Sequence, residues 1–224
     1  MSGTGGILGI WNDREDSIAQ VYEQWYVREH VPERLAVPGF MRARRYESCT
    51  GASPRFFTFY ELDSVDILSS EAYLARLAAP SELTREVMAH FRNMLRTAFI
   101  STHRSAPAAS GACVVVSWVC QPATVDETLM DAAFTECERQ PGVIAVQSWR
   151  AAPDAGAVSV ESKLRPGGDR KAQSVLLADV MREGEGIALA PVMHALFEAA
   201  VAGPADLEVT TGVFRLLGSW EAAR

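Results

Sequence analysis

Metal-binding spacing is missing from this sequence. Its four cysteines (Cys49, Cys113, Cys120, Cys137) form no CxxC, and its four histidines (His30, His90, His103, His194) show no HExxH or HxH. A zinc site therefore has no support, and the expected metal complement is none. Also absent are a GxGxxG ahead of a helix, a GxxxxGK[ST] loop and a GxSxG elbow. Dinucleotide-binding, P-loop and serine-hydrolase functions fall away with them. Positive charge is scarce: 21 Lys and Arg stand against 28 Asp and Glu, a net −7 with pI about 5.2. That excludes a broad nucleic-acid-binding face. No basic residue precedes the apolar run of MSGTGGILGIW, so the start does not read as an export signal. The most apolar later stretch, 186–203, is broken by Pro191, His194 and Glu198 and reads as a core helix rather than a membrane span. The expectation is a cytoplasmic protein with reduced thiols.

What is present suffices for a sizeable core: 224 residues, 48% hydrophobic and 22% charged. Gly6 to Trp11 reads as a strand, and Ile18, Val21, Tyr22 and Trp25 follow at the spacing of one helical face. Pro32 is expected to end that helix near His30. Pro38-Gly39 is a turn into an alternating strand over 40–48. A third strand covers 55–62, helical segments cover 69–77 and 81–97, and a fourth strand covers 99–103. After SAPAASG, with the composition of a linker, the same order returns: strand 112–120, helix 125–139, and strand 144–150. A flexible connection over 165–169, a strand over 172–181, a helix over 187–201 and a strand over 207–217 complete it. The turn VPGFMRARRY has a degenerate echo in QPGVIAVQSW. The fold class expected is α+β, as tandem ferredoxin-like repeats (β-α-β-β-α-β twice) forming an α+β barrel. The halves are 1–106 and 111–224. Each bare sheet face would be buried by the other half, leaving small ligands a cavity between sheet and helix ends.

The stretch WYVREHVPERLAVPGFMRARRYE, residues 25–47, carries the candidate chemistry. Helical spacing places Tyr26, His30 and Glu33 along one edge, with Trp25 in the buried stripe beside Val21 and Tyr22. At a helix C-terminus the unpaired carbonyls favour a cation and would raise the His30 pKa toward neutrality. Such a histidine suits proton transfer, although it could equally act as a simple cap. On the next strand Phe40, Arg42, Arg44 and Tyr46 are expected to share a face, as are Phe56, Thr58, Tyr60 and Leu62 on the one after. An arginine facing a semi-apolar lumen would grip a carboxylate or enolate oxygen. The candidate catalytic set is His30, Tyr26, Arg44 and Tyr60.

The same stretch, followed by PRFFTFYELDSVDILSSEAYLARL and HFRNMLRTAF, resembles the EthD-like branch of the dimeric α+β barrel superfamily over roughly residues 5–105. The second half matches in layout only and has no counterpart of Glu29-His30-Val31-Pro32. The resemblance implies a ferredoxin-like barrel, a small hydrophobic or aromatic substrate, and His30 as a pocket residue. It also implies a homodimer or an intramolecular pseudo-dimer, with no nucleic acid or membrane partner. Relatives include cofactor-free isomerases, cyclases, decarboxylases and monooxygenases of polyphenols, and haem-binding enzymes, and fold alone does not choose among them. The leading expectation is an enzyme without metal or organic cofactor, of lyase or isomerase type, acting by general acid–base chemistry on a small aromatic or alicyclic acid or phenol. The alternatives are a haem-dependent or cofactor-free monooxygenase and a non-catalytic ligand-binding protein. With one EH motif, a single pocket is expected, in the first half.

Overall fold

Residues 5–51, 53–106, 109–153 and 160–223 are described by the structure, a computed structural model. The strands are β1 (Gly6–Arg14), β2 (Phe40–Ser48), β3 (Phe56–Leu62), β4 (Phe91–Arg104), β5 (Cys113–Val119), β6 (Thr124–Val125), β7 (Val143–Ala151), β8 (Ser174–Val180), β9 (Val201–Ala202) and β10 (Val209–Glu221). The helices are α1 (Ala19–Trp25), α2 (Val31–Leu35), α3 (Glu71–Ala78), α4 (Glu82–Ala89), α5 (Glu127–Arg139), α6 (Val160–Lys163) and α7 (Glu183–Ala200). The long strands close into a barrel in the order β1-β3-β2-β10-β5-β8-β7-β4, and all neighbours are antiparallel. The N-terminal strands contribute the run β4-β1-β3-β2 and the C-terminal strands β10-β5-β8-β7. Two seams, β2 with β10 and β4 with β7, join the runs, so neither keeps a free edge. Residues 107 and 108, inside the boundary expected at 106–111, lie outside the described residues.

Alternation along each strand divides the core into three. One face of β1 to β4 (Leu8, Ile10, Ala43, Tyr60, Ala98) packs beneath α1 to α4. The equivalent face of the C-terminal run packs beneath α5 and α7 through Met130, Met193 and Phe197. The opposite faces meet inside the barrel, where Trp11, Tyr46, Phe57, Phe59, Phe99, Trp118, Trp149 and Phe214 fill the lumen. The lumen centre is thus a packed aromatic core, with room for ligands displaced to the helix side.

Two expected boundaries move for physical reasons. The helix expected over 81–97 ends at Ala89, and 91–104 is a strand. Phe91, Met94, Leu95 and Ala98 are buried at the i, i+3, i+4, i+7 spacing of a helix. A β-bulge creates that spacing: the β1–β4 register shifts between Trp11 and Asp13, opposite Asn93, whose φ is 51°. Pro32 does not end the first helix either. Between α1 and α2 lies one wide π-type turn, Tyr26–His30, closed by the Val31 N–H donating to the Tyr26 carbonyl. The widened turn accommodates a proline that has no N–H to give, and the helix runs on to Leu35.

The echoed turns have one geometry. The Phe40 N–H donates to the Val37 carbonyl at 3.1 Å, and the Val143 N–H donates to the Gln140 carbonyl at 3.2 Å. Gly39 and Gly142 stand at φ 93° and 76°. A Cβ on Gly39 would also press into Ile67. Gly39→Ala should cost about 1–3 kcal/mol and lower Tm by roughly 3–10 °C. An unchanged melting curve would contradict this account of the turn.

Candidate active site

His30 projects from the wide turn into a cavity under the N-terminal helices. About 360 Å³ of non-atom space, counted with the solvent at its mouth, is lined by Leu8, Ile10, Tyr26, His30, Arg34 and Tyr60, together with Tyr73, Met88, Phe91, Met94 and Arg96. Glu161 and Arg165 complete the wall from beyond the linker. Tyr26, His30 and Arg34 recur every four residues on one helix edge. The Trp25 Nε1–H donates to Thr84 Oγ1 at 2.9 Å, and the Thr84 hydroxyl donates to Glu29 Oε1 at 3.0 Å. These bonds fix α1 against α4 and hold the edge over the sheet.

Burial and charge reverse the expected tuning of His30. It is 6% exposed, with its ring 4.2 Å from the Trp25 ring and 5.4 Å from that of Tyr26. Loss of hydration, then the guanidiniums of Arg34, Arg165, Arg96 and Arg45, hold its pKa well below the ordinary 6.5. The helix C-terminus expected to raise it is not there, because α2 continues past it. His30 is therefore a neutral imidazole at pH 7. Its Nδ1 is buried without a hydrogen-bond partner among the described residues. The Tyr60 hydroxyl and Arg34 Nη1 are in the same condition. Three partnerless buried polar atoms on one cavity are costly unless something else engages them. Burial pushes the Tyr60 and Tyr26 hydroxyls above the usual 10, so both stay protonated and can only donate toward developing negative charge.

The charged residues around His30 are mostly paired. Arg34 Nη2 donates to both oxygens of Glu161, at 2.5 and 2.6 Å, with both side chains buried. Arg165 donates through Nε to Asp169 at 2.8 Å and through Nη2 to its other oxygen. Arg96 Nη2 donates to the Tyr73 hydroxyl at 2.8 Å, and no carboxylate pairs with it among the described residues. The connection expected to be flexible over 165–169 is closed by the Arg165–Asp169 pair and anchored to β4 by the next residue, Arg170. The Arg96 N–H donates to the Arg170 carbonyl at 3.0 Å, and the Arg170 N–H donates to the Met94 carbonyl at 2.9 Å.

Of the residues singled out by sequence, the structure brings together Tyr26, His30 and Tyr60 and separates Arg44. Ala43 stands opposite Tyr60 in the β2–β3 register and Arg44 opposite Phe59, so Arg44 faces the lumen. There it is fully buried, 3.5 Å from Glu61 and 3.6 Å from Asp179, with its guanidinium over Phe59. Glu33 also leaves the edge, pairing with Arg76 at 3.2 Å on the surface. Arg45, one residue on, faces the helices: it pairs with Glu23 at 2.5 and 2.9 Å and lies over the Tyr26 ring at 4.3 Å. The pocket is not confined to the first half, because Glu161 and Arg165 belong to the second. Arg34, Tyr73, Arg96, Glu161 and Arg165 were all missed. Only Arg34, at i+4 from His30, carried a local signal. Among the described residues no group of three or more His, Cys, Asp or Glu could hold a metal ion, and no helix is long and apolar enough to cross a membrane.

No family description and no curated protein matches the sequence. The fold does match solved structures. An anthrone oxidase-like protein superimposes with a TM-score of 0.58 at 11% identity, covering 98% of this chain and 94% of the other. A proposed monooxygenase from Fusobacterium nucleatum gives 0.55 at 6% identity, covering 99% and 96%. A proposed chlorite dismutase gives 0.55 at 10% identity, covering 95% of each chain. At these identities the likeness is one of fold, the α+β barrel of ferredoxin-like halves that the sequence predicted.

Proposed function

We propose that this protein is an enzyme in which His30 removes a proton from a small aromatic or enolisable compound, without metal or organic cofactor. One observation carries the reading: a neutral imidazole with a partnerless ring nitrogen stands in a cavity of mixed lining whose other partnerless polar groups, the Tyr60 hydroxyl and Arg34 Nη1, are donors. A neutral imidazole is a base, and the Tyr60 hydroxyl and the guanidiniums would stabilise the anion left behind. Tyr26, closing the edge with Trp25, would keep water from the ring. Arg44 is withdrawn from the catalytic set by its position in the lumen. Haem does not suit these residues. The free space beside His30, about 20 Å³ when traced by the centre of a water-sized sphere, is far below the ~300–1,000 Å³ of small-ligand sites, so a small ring enters only as side chains shift and a macrocycle has no place. A metal-ligating histidine also normally donates its second nitrogen to a partner, and His30 Nδ1 has none among the described residues.

The anion has two fates. Reprotonation at another carbon, or loss of a leaving group, makes the enzyme an isomerase or lyase. Reaction of the carbanion of a CH₂ compound with O₂ gives a ketone and water, a monooxygenase outcome favoured by the fold shared with the anthrone oxidase-like protein and the proposed monooxygenase. Incubating the protein with a panel of phenolic and enolisable compounds in D₂O, with NMR and an oxygen electrode, distinguishes the two. Deuterium incorporation without oxygen uptake marks the first fate, and oxygen uptake marks the second. Neither event across the panel would count against the enzyme and leave a binding protein.

The pH profile follows from the depressed pKa. In the free enzyme His30 stays neutral through pH 6.5, so kcat/KM should be level through that pH and fall only well below it. An acid limb centred at 6.5 or above would show that the arginines do not act on the ring. Stability has the opposite dependence from that of a stabilised cation. Below about pH 6.5 the unfolded chain binds a proton at this histidine while the folded chain does not, so His30 lowers stability as pH falls through that value.

A further inference from the structure

We infer that Arg96 is the oxyanion anchor of this cavity and that the substrate is a neutral acid, a phenol or enol, which reacts as its oxygen-centred anion on that guanidinium. The inference rests on the base role of His30 and adds the substrate class and a further catalytic residue.

A charge count leads to it. Three guanidiniums line the cavity, those of Arg34, Arg96 and Arg165. Two carboxylates answer them among the described residues, Glu161 on Arg34 and Asp169 on Arg165, both in two-pronged contact. His30 is neutral, so the wall carries one positive charge without a counterion. That charge belongs to Arg96, whose side-chain acceptor is the uncharged Tyr73 hydroxyl at 2.8 Å. A guanidinium has five N–H donors and this contact uses one. Arg96 issues from β4 opposite Ile10, on the face of the sheet that also carries Leu8 and Tyr60. Its N–H is tied to Arg170, so the β4 backbone beneath it is held on both edges.

One negative charge therefore completes the cavity. A carboxylate would supply it but arrives already ionised and leaves a base with nothing to do. A phenol or enol arrives neutral, and transfer of its O–H proton to the His30 imidazole produces the missing charge: the O–H bond breaks, the N–H bond forms, and the electron pair stays on oxygen. The arginine field that weakens His30 as a base also lowers the pKa of the hydroxyl, so the transfer is not opposed. Arg34 can lend a hydrogen bond through its partnerless Nη1, but the charges of Arg34 and Arg165 are already answered by Glu161 and Asp169, so neither supplies the missing counter-charge.

The test uses 4-nitrophenol, whose phenolate is read by its visible absorbance, with 4-nitroanisole as the hydroxyl-free control. At about pH 6 the wild-type protein should bind 4-nitrophenol with growth of the phenolate band, and bind 4-nitroanisole at least tenfold more weakly. Arg96→Gln should abolish the band and weaken 4-nitrophenol about tenfold or more while leaving 4-nitroanisole unchanged, which shows that the cavity is intact. Arg96→Lys should restore part of the band. Binding as the neutral phenol, equal affinity for the two probes, a band that survives Arg96→Gln, or no binding of either probe would overturn the assignment. His30→Ala separates the two readings. It should keep the band at a pH where bulk water can take the proton. A band retained alongside unchanged turnover would remove the base and leave the anchor.

Discussion

Replacing His30 with alanine is expected to lower kcat by about 10²- to 10⁴-fold, the usual consequence of losing a general base. The loss should appear in kcat rather than KM, since the tyrosines and arginines that hold a ligand remain. The fold should persist. Truncation removes a ring packed at a tilt against Trp25, centroids 4.2 Å apart, which costs packing, but it also removes a buried nitrogen without a partner, which offsets part of that cost. A Tm change of only a few degrees is therefore expected. A variant that melts far lower yet turns over normally per folded molecule would make His30 a structural residue.

The second large effect is on stability and concerns Arg34. Its ion pair with Glu161 is buried at both ends, the side chains 3% and 6% exposed, and it joins the first helix to a segment more than a hundred residues downstream. Arg34→Ala leaves Glu161 charged and alone in a desolvated cavity, and the expected loss is about 3–5 kcal/mol. Glu161→Ala should cost a similar amount by stranding the guanidinium. Removing both partners with apolar residues of similar size, Arg34→Met with Glu161→Met, should recover most of the stability, because the desolvation of two ions disappears with their attraction. Denaturant unfolding of the three variants measures the coupling. Additive losses would mean that the two groups do not act as a pair.

How far such a site can be read from sequence depends on what places each residue. The EH stretch and the four-residue spacing of Tyr26, His30 and Arg34 are local, and so is the VPGF turn with its echo at QPGV. Each is fixed by backbone chemistry within a few residues. The alternation of β3, which puts Tyr60 under the helices and Phe59 in the lumen, is legible for the same reason. Arg44 shows the limit. Its shared face with Tyr46 is legible, although a bulge between Phe40 and Arg42 turns Phe40 to the helix side, and which face is cavity and which packed core depends on eight aromatic rings from seven strands meeting inside a closed barrel. Arg96 was hidden by the bulge opposite Asn93, which gave a strand the burial spacing of a helix. Glu161 and Arg165 had no local signal, because the fold alone brings the second half across the first-half pocket. The direction of the His30 shift was misjudged on one assumption, that proline ends a helix. A widened turn that admitted Pro32 carried the chain onward and placed Arg34 next to the ring.

The account rests on a neutral His30 held in a field of arginines, and the ring nitrogens report that state directly. Two-dimensional ¹⁵N–¹H NMR of the four histidine rings, assigned through His30→Ala and followed from about pH 8 to pH 4, reads the protonation state without a substrate. The account predicts that His30 remains neutral through pH 6.5 and takes a proton only well below it. That midpoint should rise when Arg34 is replaced by methionine together with Glu161, since Arg34 is the charge that acts most strongly on the ring and Glu161 is not among its main influences. A His30 ring that titrates at or above 6.5, or one whose midpoint ignores the loss of Arg34, would contradict it.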